Sequence, residues 1–486
     1  MERAPTRRKL IAASGFLTAA SLTGCLGGEP NDDGNETTDG GDGDGNVSGD
    51  GNVSGDGNVS GDGDGGTTPT VEPVEGKSDI PSEQELDPVT DIGDVDALAE
   101  LVAGNTAFAS DVYRQVLGDA ESENFVISPH SITAALAMTR AGARDETADA
   151  LDDAMRYTLE GDSLHTSFAD LRAETEARNE VELEDDEEFI LRVVNAVWGQ
   201  EGYPFLDDYL ETLESNYGAG LREVDYRNDP EGARNEINDW VAEQTEDKIE
   251  DLLPQGSLDT LTRLVLTNTI YLNASWNLPF PEELTESAEF DLLDDSTKEV
   301  QMMSNSAEFP YAQLDGHQAV ELPYVGGDIS MVVVLPAEDV DFVDFERSLD
   351  APRLVGFVDA LESREGTVRM PRFGFESGFA LKDILSELGA SVAFDRNRAD
   401  FSGIADLEQT GENLYVYDVY HDTFIEVDEE GTEAAAATGV VIGTESAPAN
   451  PFEITLDRPF VFFIRDRRTG TVLFLGRVVE PVDPGE

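Results

Sequence analysis

Apolar residues beyond residue 91 recur with two different spacings. Leu98, Leu101, Val102, Phe108, Val112 and Val116 keep the spacing of a helix that buries one face. The same spacing predicts helices at 147–155, 204–217, 229–245, 352–361 and 379–388. Runs rich in β-branched and aromatic residues, typical of strands, occupy 125–128, 191–198, 263–272, 318–324, 329–335, 367–375, 414–427, 460–464 and 472–479.

The order of these segments predicts the fold class. Helices come mostly first and strands crowd toward the end of the chain, without a regular alternation of the two. This order favours an α+β fold with antiparallel or mixed sheets over a parallel βαβ fold. Because no linker-like stretch interrupts 91–486, we treat that range as a single large domain.

The first 24 residues have the character of an export signal. Arg7 and Arg8 precede an apolar stretch, 10–22, that is too short to span a bilayer as a mature helix. A twin arginine indicates export in the folded state. The stretch ends in Leu-Thr-Gly before Cys25, which resembles a lipobox and predicts a lipid on that cysteine. The alternative is a plain signal peptide with a chance cysteine.

The range 25–90 has the composition of a disordered tether. From 27 to about 88 it consists mostly of Gly, Asp, Asn, Ser and Thr, and it contains no aromatic residue. Asn35, Asn46, Asn52 and Asn58 begin glycosylation sequons. The Asp-Gly repeats lack the register of a calcium-binding loop, so a spacer that holds the domain away from the membrane is the better interpretation.

The charge balance restricts the class of partner. A formal net charge of −72 repels nucleic acid and anionic membrane surfaces, so neither is expected to bind. Membrane contact is therefore expected only through the lipid on Cys25. Lysine occurs only at Lys9, Lys77, Lys248, Lys298 and Lys382, a balance that resembles proteins of halophiles, although a merely acidic protein is the alternative.

Motifs for catalysis, metals and cofactors are missing from the sequence. The four histidines, His130, His165, His317 and His421, lie far apart, and Cys25 is the only cysteine, so no zinc motif or disulfide can be assembled. No nucleophile elbow and no phosphate-binding glycine loop occurs. We therefore predict a protein that is not an enzyme and uses no cofactor or metal.

Several stretches, collinear over nearly the whole domain, resemble the motifs of one family. Asn124-Phe-Val-Ile-Ser-Pro-His-Ser-Ile132 is one of them, and 429–446 is another; each is weak by itself. The remaining ones are 142–147, 235–241 with Lys248 and Ile249, 268–271, 276–281, 321–324, 457–460 and 476–478. In this combination the chain resembles the serpins, serine protease inhibitors of the loop-insertion type. The resemblance implies three β-sheets, about eight or nine helices and an exposed reactive loop.

The resemblance also gives the alanine-rich stretch 429–446 a role. It implies that this stretch begins with the hinge of the reactive loop, which enters the middle of a five-stranded sheet after cleavage. Small uncharged side chains at Thr432, Ala434, Ala436 and Thr438 are expected to face inward during insertion. A flexible surface loop would explain the composition but not its place among the other motifs. The expected hinge residues are Glu429, Glu430, Gly431, Thr432, Glu433, Ala434, Ala435, Ala436 and Ala437.

The family's usual loop length implies a reactive bond between Glu445 and Ser446, to within one residue. A glutamate before that bond suits a glutamyl-specific or subtilisin-like protease, because the acidic pocket of a trypsin-like protease would repel it. The stretch 174–188 is rich in carboxylates, which would repel a sulfated polysaccharide. We therefore do not expect heparin to activate this protein.

The resemblance implies two further clusters beside the hinge. Ser128, Ser131, Asn268 and His421 resemble the family's shutter, a polar group where the strands part, and a satisfied structural cluster would look the same. Glu429 and Arg372 resemble a charge pair at the point of first insertion, near Trp276, and an ordinary surface pair is the alternative.

Together these features predict a secreted monomer, lipid-anchored to the outer face of the cell membrane, that inhibits serine endopeptidases, with cysteine endopeptidases as the alternative target class. The expected mechanism traps the protease as an acyl-enzyme while the cleaved loop inserts into the main sheet. The alternative is a non-inhibitory serpin that acts as a binding or chaperone module.

Overall fold

The computed structural model describes residues 94–120, 123–181, 183, 187–432 and 451–484. All of them belong to a single compact unit. These residues form ten α-helices and two 3-10 helices, Glu282–Leu284 and Ala390–Phe394. The α-helices are α1 (Val95–Ala120), α2 (Pro129–Gly142), α3 (Asp145–Ala154), α4 (Asp162–Ala177), α5 (Asp207–Tyr217), α6 (Pro230–Gln244), α7 (Phe342–Arg347), α8 (Ala351–Asp359), α9 (Lys382–Glu387) and α10 (Leu407–Thr410).

The strands lie mostly after residue 260, as the sequence predicts. They are β1 (Phe125–Ile127), β2 (Phe189–Gln200), β3 (Leu221–Val224), β4 (Leu264–Ser275), β5 (Glu286–Asp291), β6 (Thr297–Leu314), β7 (His317–Pro323), β8 (Ile329–Leu335), β9 (Glu362–Pro371), β10 (Phe373–Ala380), β11 (Tyr420–Val427), β12 (Gly431–Thr432), β13 (Phe452–Thr455), β14 (Phe460–Asp466) and β15 (Val472–Val478). The α+β prediction is confirmed.

A six-stranded sheet carries the features that matter for function. Its strand order is β10-β11-β12-β4-β2-β3, in which only β2 and β3 run parallel. The two-residue strand β12 lies between β11 and β4, and in this order those two long strands are neighbours only through β12. The middle of the sheet is therefore already separated by one strand at that end.

The other strands form a nine-stranded network with the order β1-β15-β14-β8-β7-β6-β9-β13, and β5 pairs with β6. The resemblance implies two further sheets here, but hydrogen bonds join them into one. The reason is the length of β6, which pairs with β5, β9 and β7 along successive parts of its 18 residues. β8, β14 and β15 are buried along their whole length and form the centre of this network.

Apolar residues fill two main cores, one on either side of the strands. One core lies among helices α1 to α5 and includes Val112, Leu136 and Leu171. The second contains residues of both sheets, such as Leu272 of β4 and Phe462 of β14. Successive side chains of a strand point to opposite faces of the sheet. Val197 of β2 therefore joins the helical core, while Trp198 packs against α6 in a third, smaller cluster.

The chain after α6 crosses the same face of the six-stranded sheet as α6 itself. We call residues 245–262 the crossover segment. Leu253 and Leu258 of this segment join Trp198 in the third cluster, and Ile249 and Leu252 pack with partly buried Tyr420 at the start of β11. The crossover segment thus contacts β11 through Ile249 and Leu252 and β2 through Leu253 and Leu258, on either side of the place where β4 and β11 are not paired.

Two boundaries differ from the sequence prediction for identifiable reasons. The predicted strand 414–427 begins only at Tyr420, because Val416 donates its N–H to the Ala393 carbonyl and Val419 accepts from the Leu381 N–H instead of a neighbouring strand. The predicted strand 367–375 is two strands, β9 and β10, since Arg372 interrupts it. Helices α2, α4, α7 and α10 and strands β3, β5, β6 and β13 were not predicted.

The described residues contain neither a membrane-spanning helix nor a metal-binding cluster. None of their helices combines the length and the apolar character needed to cross a bilayer. No group of three or more of their histidine, aspartate and glutamate side chains is arranged to hold a metal ion.

Candidate functional site at the opening of the six-stranded sheet

A tight turn returns the chain from β11 into the middle of the sheet. The Asp428 carboxylate accepts hydrogen bonds from the N–H groups of Glu430 (2.9 Å) and Gly431 (3.2 Å). On the β4 side, the carbonyl of Glu430 accepts from Trp276 N (2.7 Å) and that of Glu429 accepts from Phe280 N (2.8 Å). The start of the expected hinge is therefore fixed by the Asp428 side chain after β11 and by the backbone N–H groups of Trp276 and Phe280 after β4.

Gly431 lies against the backbone of β4. A Cβ atom at this position would approach the Ala274 carbonyl oxygen to 2.1 Å and the Ser275 Cα to 2.8 Å. Both obstacles are main-chain atoms of a paired strand, so they cannot turn aside as a flexible side chain would. The seated position of β12 thus requires glycine.

Thr432 is the first hinge side chain to point into the core. It is 4% exposed, and its Oγ1 lies 2.7 Å from the hydroxyl oxygen of buried Tyr324. The Tyr324 ring stacks on Trp276 with centroids 4.5 Å apart, and Trp276 Nε1 donates to the Asp428 carbonyl (3.0 Å). Burial raises the pKa of Tyr324 well above its usual range. Tyr324 therefore stays neutral, and either hydroxyl can donate in its hydrogen bond with Thr432.

The expected charge pair is present beside this turn. Glu429 is 3% exposed, and its Oε1 accepts a hydrogen bond from Arg372 Nη2 (2.6 Å) and another from the Thr285 hydroxyl. The hydrogen bond to Glu429 raises the pKa of Arg372. Because the carboxylate is buried and the Arg372 side chain is only partly exposed, salt screens this pair less than an exposed surface pair.

Three of the four expected shutter residues meet below the hinge. Ser128 caps the N-terminus of α2, where its Oγ accepts from Ser131 N (3.2 Å) and donates to Ser131 Oγ (3.1 Å). Its N–H donates to His421 Nε2 (2.9 Å). Burial lowers the pKa of His421 to about 3, so the ring is neutral and Nε2 can accept that hydrogen bond.

Asn268, the fourth of them, has a different partner. Its Nδ2 donates to Asn195 Oδ1 (2.6 Å), directly opposite on β2, and Asn195 Nδ2 donates to the Tyr217 carbonyl (2.8 Å). Sequence reasoning did not single out Asn195, because an asparagine inside a strand-like run gives no signal of its cross-strand partner. Tyr324, in contrast, closes the stretch 321–324 that carried part of the resemblance.

A cavity of about 480 Å³ continues from these residues between β4 and the chain that leads into β11. We call it the slot. The crossover segment covers it on one side and α2 lies on the other, while Asn268 and His421 lie on its flanks. At the far end, Arg263 before β4 donates from Nε and Nη2 to both carboxylate oxygens of Glu412 (2.8 and 2.9 Å). The slot thus extends from Asn268 and His421 at one end to this ion pair at the other, and β12 lies farther along β4 and β11.

The remaining expected site residues lie outside the described residues. They are Glu433, Ala434, Ala435, Ala436 and Ala437 of the hinge, Glu445 and Ser446 of the reactive bond, and Cys25.

Comparison with known proteins gives a consistent result. The family profile described as "Serpin (serine protease inhibitor)" matches residues 103–481. An uncharacterized serpin-like protein of Thermococcus kodakarensis is 38% identical over 380 residues, which cover 78% of this chain and 85% of that protein. Leukocyte elastase inhibitor A of Mus musculus is 36% identical over 392 residues, 79% of this chain and all of the inhibitor. The solved structure of a tumour suppressing serpin has a similar fold, with a TM-score of 0.69, 22% identity and coverage of 79% of this chain and 100% of its own.

Proposed function

Because this chain belongs to the serpin family, a family of serine protease inhibitors, we propose that it traps a serine endopeptidase by inserting its cleaved loop into the slot. The observation that carries the proposal is β12. Gly431 and Thr432 already lie between β11 and β4, and the slot lies farther along the same boundary, beside 264–268 of β4 and the chain that leads into β11.

The chemistry begins on the loop. The hydroxyl oxygen of the protease attacks the carbonyl carbon of Glu445, the bond to the Ser446 nitrogen breaks, and the proton of the hydroxyl passes to the departing amine. An ester between protease and Glu445 remains. Water would normally hydrolyse this ester, so trapping requires that insertion move the attached protease before hydrolysis occurs.

The driving force comes from the sheet. Each residue that follows Thr432 into the slot can form backbone hydrogen bonds to β11 and β4, each worth about 0.5–1.5 kcal/mol net. Small side chains at alternate positions can be buried without a steric penalty. The uncleaved protein is then kinetically stable, which means that a slow rate preserves its fold. It gains thermodynamic stability only after the loop is cleaved.

Target and location extend the proposal further. Glutamate at position 445 suits a glutamyl-specific or subtilisin-like serine protease. The signal-like range 1–24 and Cys25 support an extracellular protein with a lipid anchor, in which 25–90 separates the inhibitor from the membrane.

The test is to incubate the purified protein in molar salt with a glutamyl-specific protease and, separately, a subtilisin-like protease. Denaturing gels and intact mass should show a covalent adduct joined at Glu445. Glu445→Ala should lose the adduct with the glutamyl-specific protease. Cleavage that leaves the protease active and the heat stability of the cut protein unchanged would instead favour a binding module.

A further inference from the structure

The far end of the slot carries an arginine that its own segment holds in place. Arg263 Nη1 donates to the carbonyls of Thr260 (3.0 Å) and Thr262 (2.8 Å), and the side chain is only 7% exposed. Its Nε and Nη2 donate to Glu412, in the chain that leads into β11. Because two hydrogen bonds stay within 260–263, the guanidinium keeps its place even when Glu412 moves away.

Glu412 is the more exposed partner of this ion pair. Its side chain is 38% exposed, and its Oε1 lies 4.0 Å from Nη2 of a second arginine, Arg227. Arg263 can therefore change its carboxylate partner without leaving Glu412 unpaired.

The register of β12 shows which loop residue reaches this end of the slot. Thr432 lies opposite Ala274 of β4 in antiparallel pairing. A loop that continues in this register moves back one residue along β4 at each step, which brings Gly443 opposite Arg263. Glu445 follows two residues later, about 7 Å farther along the chain, a distance that long side chains can bridge.

Glu445 and Arg263 also belong to the same face of the sheet. Thr432 points into the core, so odd-numbered loop residues point to the opposite face, which α6 and the crossover segment cover. Val265 of β4 packs in the third cluster on that face, and Arg263 follows the same alternation. The Arg263 carbonyl accepts from Gln200 N (2.8 Å), so the sheet extends to this level.

We propose that Arg263 exchanges Glu412 for the side-chain carboxylate of Glu445 when the cleaved loop is fully inserted, and that this new ion pair prolongs the lifetime of the trapped adduct; the inference rests on the proposed function. Gly443 has no side chain to obstruct the guanidinium as the loop passes. Arg263 is thus a positioning residue that favours proteases which cut after Glu445, because a loop cut before that residue inserts without the partner.

The physical reason for the longer lifetime is the opposition to withdrawal. Hydrolysis of the ester requires the protease to recover its active site, and for this the last inserted residues must leave the far end of the slot. An ion pair between Arg263 and Glu445 has to break first. In the adduct the main-chain carboxyl of Glu445 is an ester, so the side chain supplies the only carboxylate of that residue.

The experiment measures how fast active protease is released from purified adducts of the full protein in molar salt. Arg263→Met should release the glutamyl-specific protease about three- to tenfold faster than the wild type, the range expected for loss of a partly buried Arg–carboxylate pair. Glu412→Gln should release it about two- to fivefold more slowly, because an amide competes less well for Arg263 when the loop withdraws. A pair with a merely structural role would make both variants faster.

A double-mutant cycle identifies Glu445 as the new partner. It uses the subtilisin-like protease, since cleavage of the amide variant by a glutamyl-specific protease is not expected. Glu445→Gln should shorten the adduct lifetime about as much as Arg263→Met, and the double variant no more than either single variant. Arg140→Met is the matched control, because it removes another bidentate pair, to Asp152 (2.7 and 2.8 Å), neither residue of which lines the slot. Its adduct should last as long as that of the wild type.

The outcomes separate this inference from the proposed function. A wild type that forms no adduct would contradict the proposed function itself. Adducts that form, but with Arg263→Met released at the wild-type rate or Glu412→Gln also released faster, would overturn the exchange and leave trapping intact. An undiminished effect of Arg263→Met in the Glu445→Gln background would show that Arg263 acts on a group other than Glu445.

Discussion

Gly431 is the residue on which the seated position of the hinge depends most directly, since any side chain there meets the backbone of β4. Gly431→Val should push β12 out of the sheet, because two main-chain atoms block the added carbons. We expect the variant to be cleaved as an ordinary substrate, with at least a tenfold loss of covalent adduct relative to cleaved inhibitor. Densitometry of denaturing gels at several ratios of inhibitor to protease measures this partition.

Gly220→Ala is the control for that experiment. A Cβ at Gly220 meets no atom within 4 Å, so the substitution should leave the partition unchanged. An undiminished yield of adduct from Gly431→Val would show that seating of β12 is not required for trapping.

Asp422 links the stability of this face of the sheet to pH. Burial, with Glu376 and Asp251 nearby, raises its pKa from 3.8 to about 7. Because the folded protein holds this proton more tightly than the unfolded chain does, the contribution of Asp422 to stability is fully present below pH 3.8. It is lost as pH rises through about 7.

Asp422→Asn should therefore gain stability relative to the wild type as pH rises from about 4 to 7, by on the order of a few kcal/mol. The difference between the two denaturation midpoints, measured across this range, isolates Asp422. His421 has the opposite slope, since its lowered pKa withdraws stability as pH falls from 6.5 toward 3, but it is common to both proteins. A constant difference across the range would contradict the assignment.

At the scale of elements, β4 and the chain leading into β11 are the edges that insertion should change. These two segments do not pair with each other, and 414–419 instead makes backbone hydrogen bonds to Leu381 and Ala393. After cleavage of the loop, amides of 264–268 and 416–420 should exchange at least tenfold more slowly with solvent, because a new strand covers them. Hydrogen-exchange mass spectrometry on cut and intact protein measures this.

The control for that measurement is β8, whose amides are already paired on both sides with β7 and β14. Their exchange should change little beyond any global gain in stability. Equal protection changes in β8 and β4 would indicate a general stabilisation without a new strand.

Whether the elements could be predicted depended on where their hydrogen bonds go. β8 and β14 were predicted well, since continuous runs such as 329–335 have the length and composition of buried strands. The run 414–427 has the same composition, but only its second half is a strand, because tertiary neighbours take the backbone bonds of the first half. α2 escaped prediction because its apolar and small residues are buried nearly all round.

At the scale of the whole molecule, the net charge of −72 opposes the compact state through self-repulsion. Salt screens exposed charges beyond about 8 Å at physiological ionic strength and more closely in brine. Buried pairs such as Arg178 with Asp466 (2.8 Å) and Arg477 with Glu346 (2.8 Å) are largely shielded from this effect. Salt should therefore relieve repulsion without weakening the core.

We expect the unfolding half-life at fixed temperature to lengthen at least tenfold between 0.1 M and 2 M potassium chloride. Unfolding followed by tryptophan fluorescence measures it. Salt also strengthens the burial of apolar surface, so a control must separate the two effects. The control is a variant with several surface carboxylates changed to amides, measured over the same range of salt. Its unfolding half-life should lengthen less than that of the wild type. A wild-type half-life that falls with salt would contradict the role of repulsion.

The sequence by itself determined the fold class and the family, and it predicts the position of the hinge and the small residues that can be buried there. These properties follow from local composition and from the order of motifs along the chain. Only the tertiary structure decided which groups meet: Tyr324 with Thr432, Asn268 with Asn195 rather than His421, and Lys248 with β11. Such contacts join residues far apart in the chain, and their geometry depends on strand register and on the crossover, which no local pattern specifies.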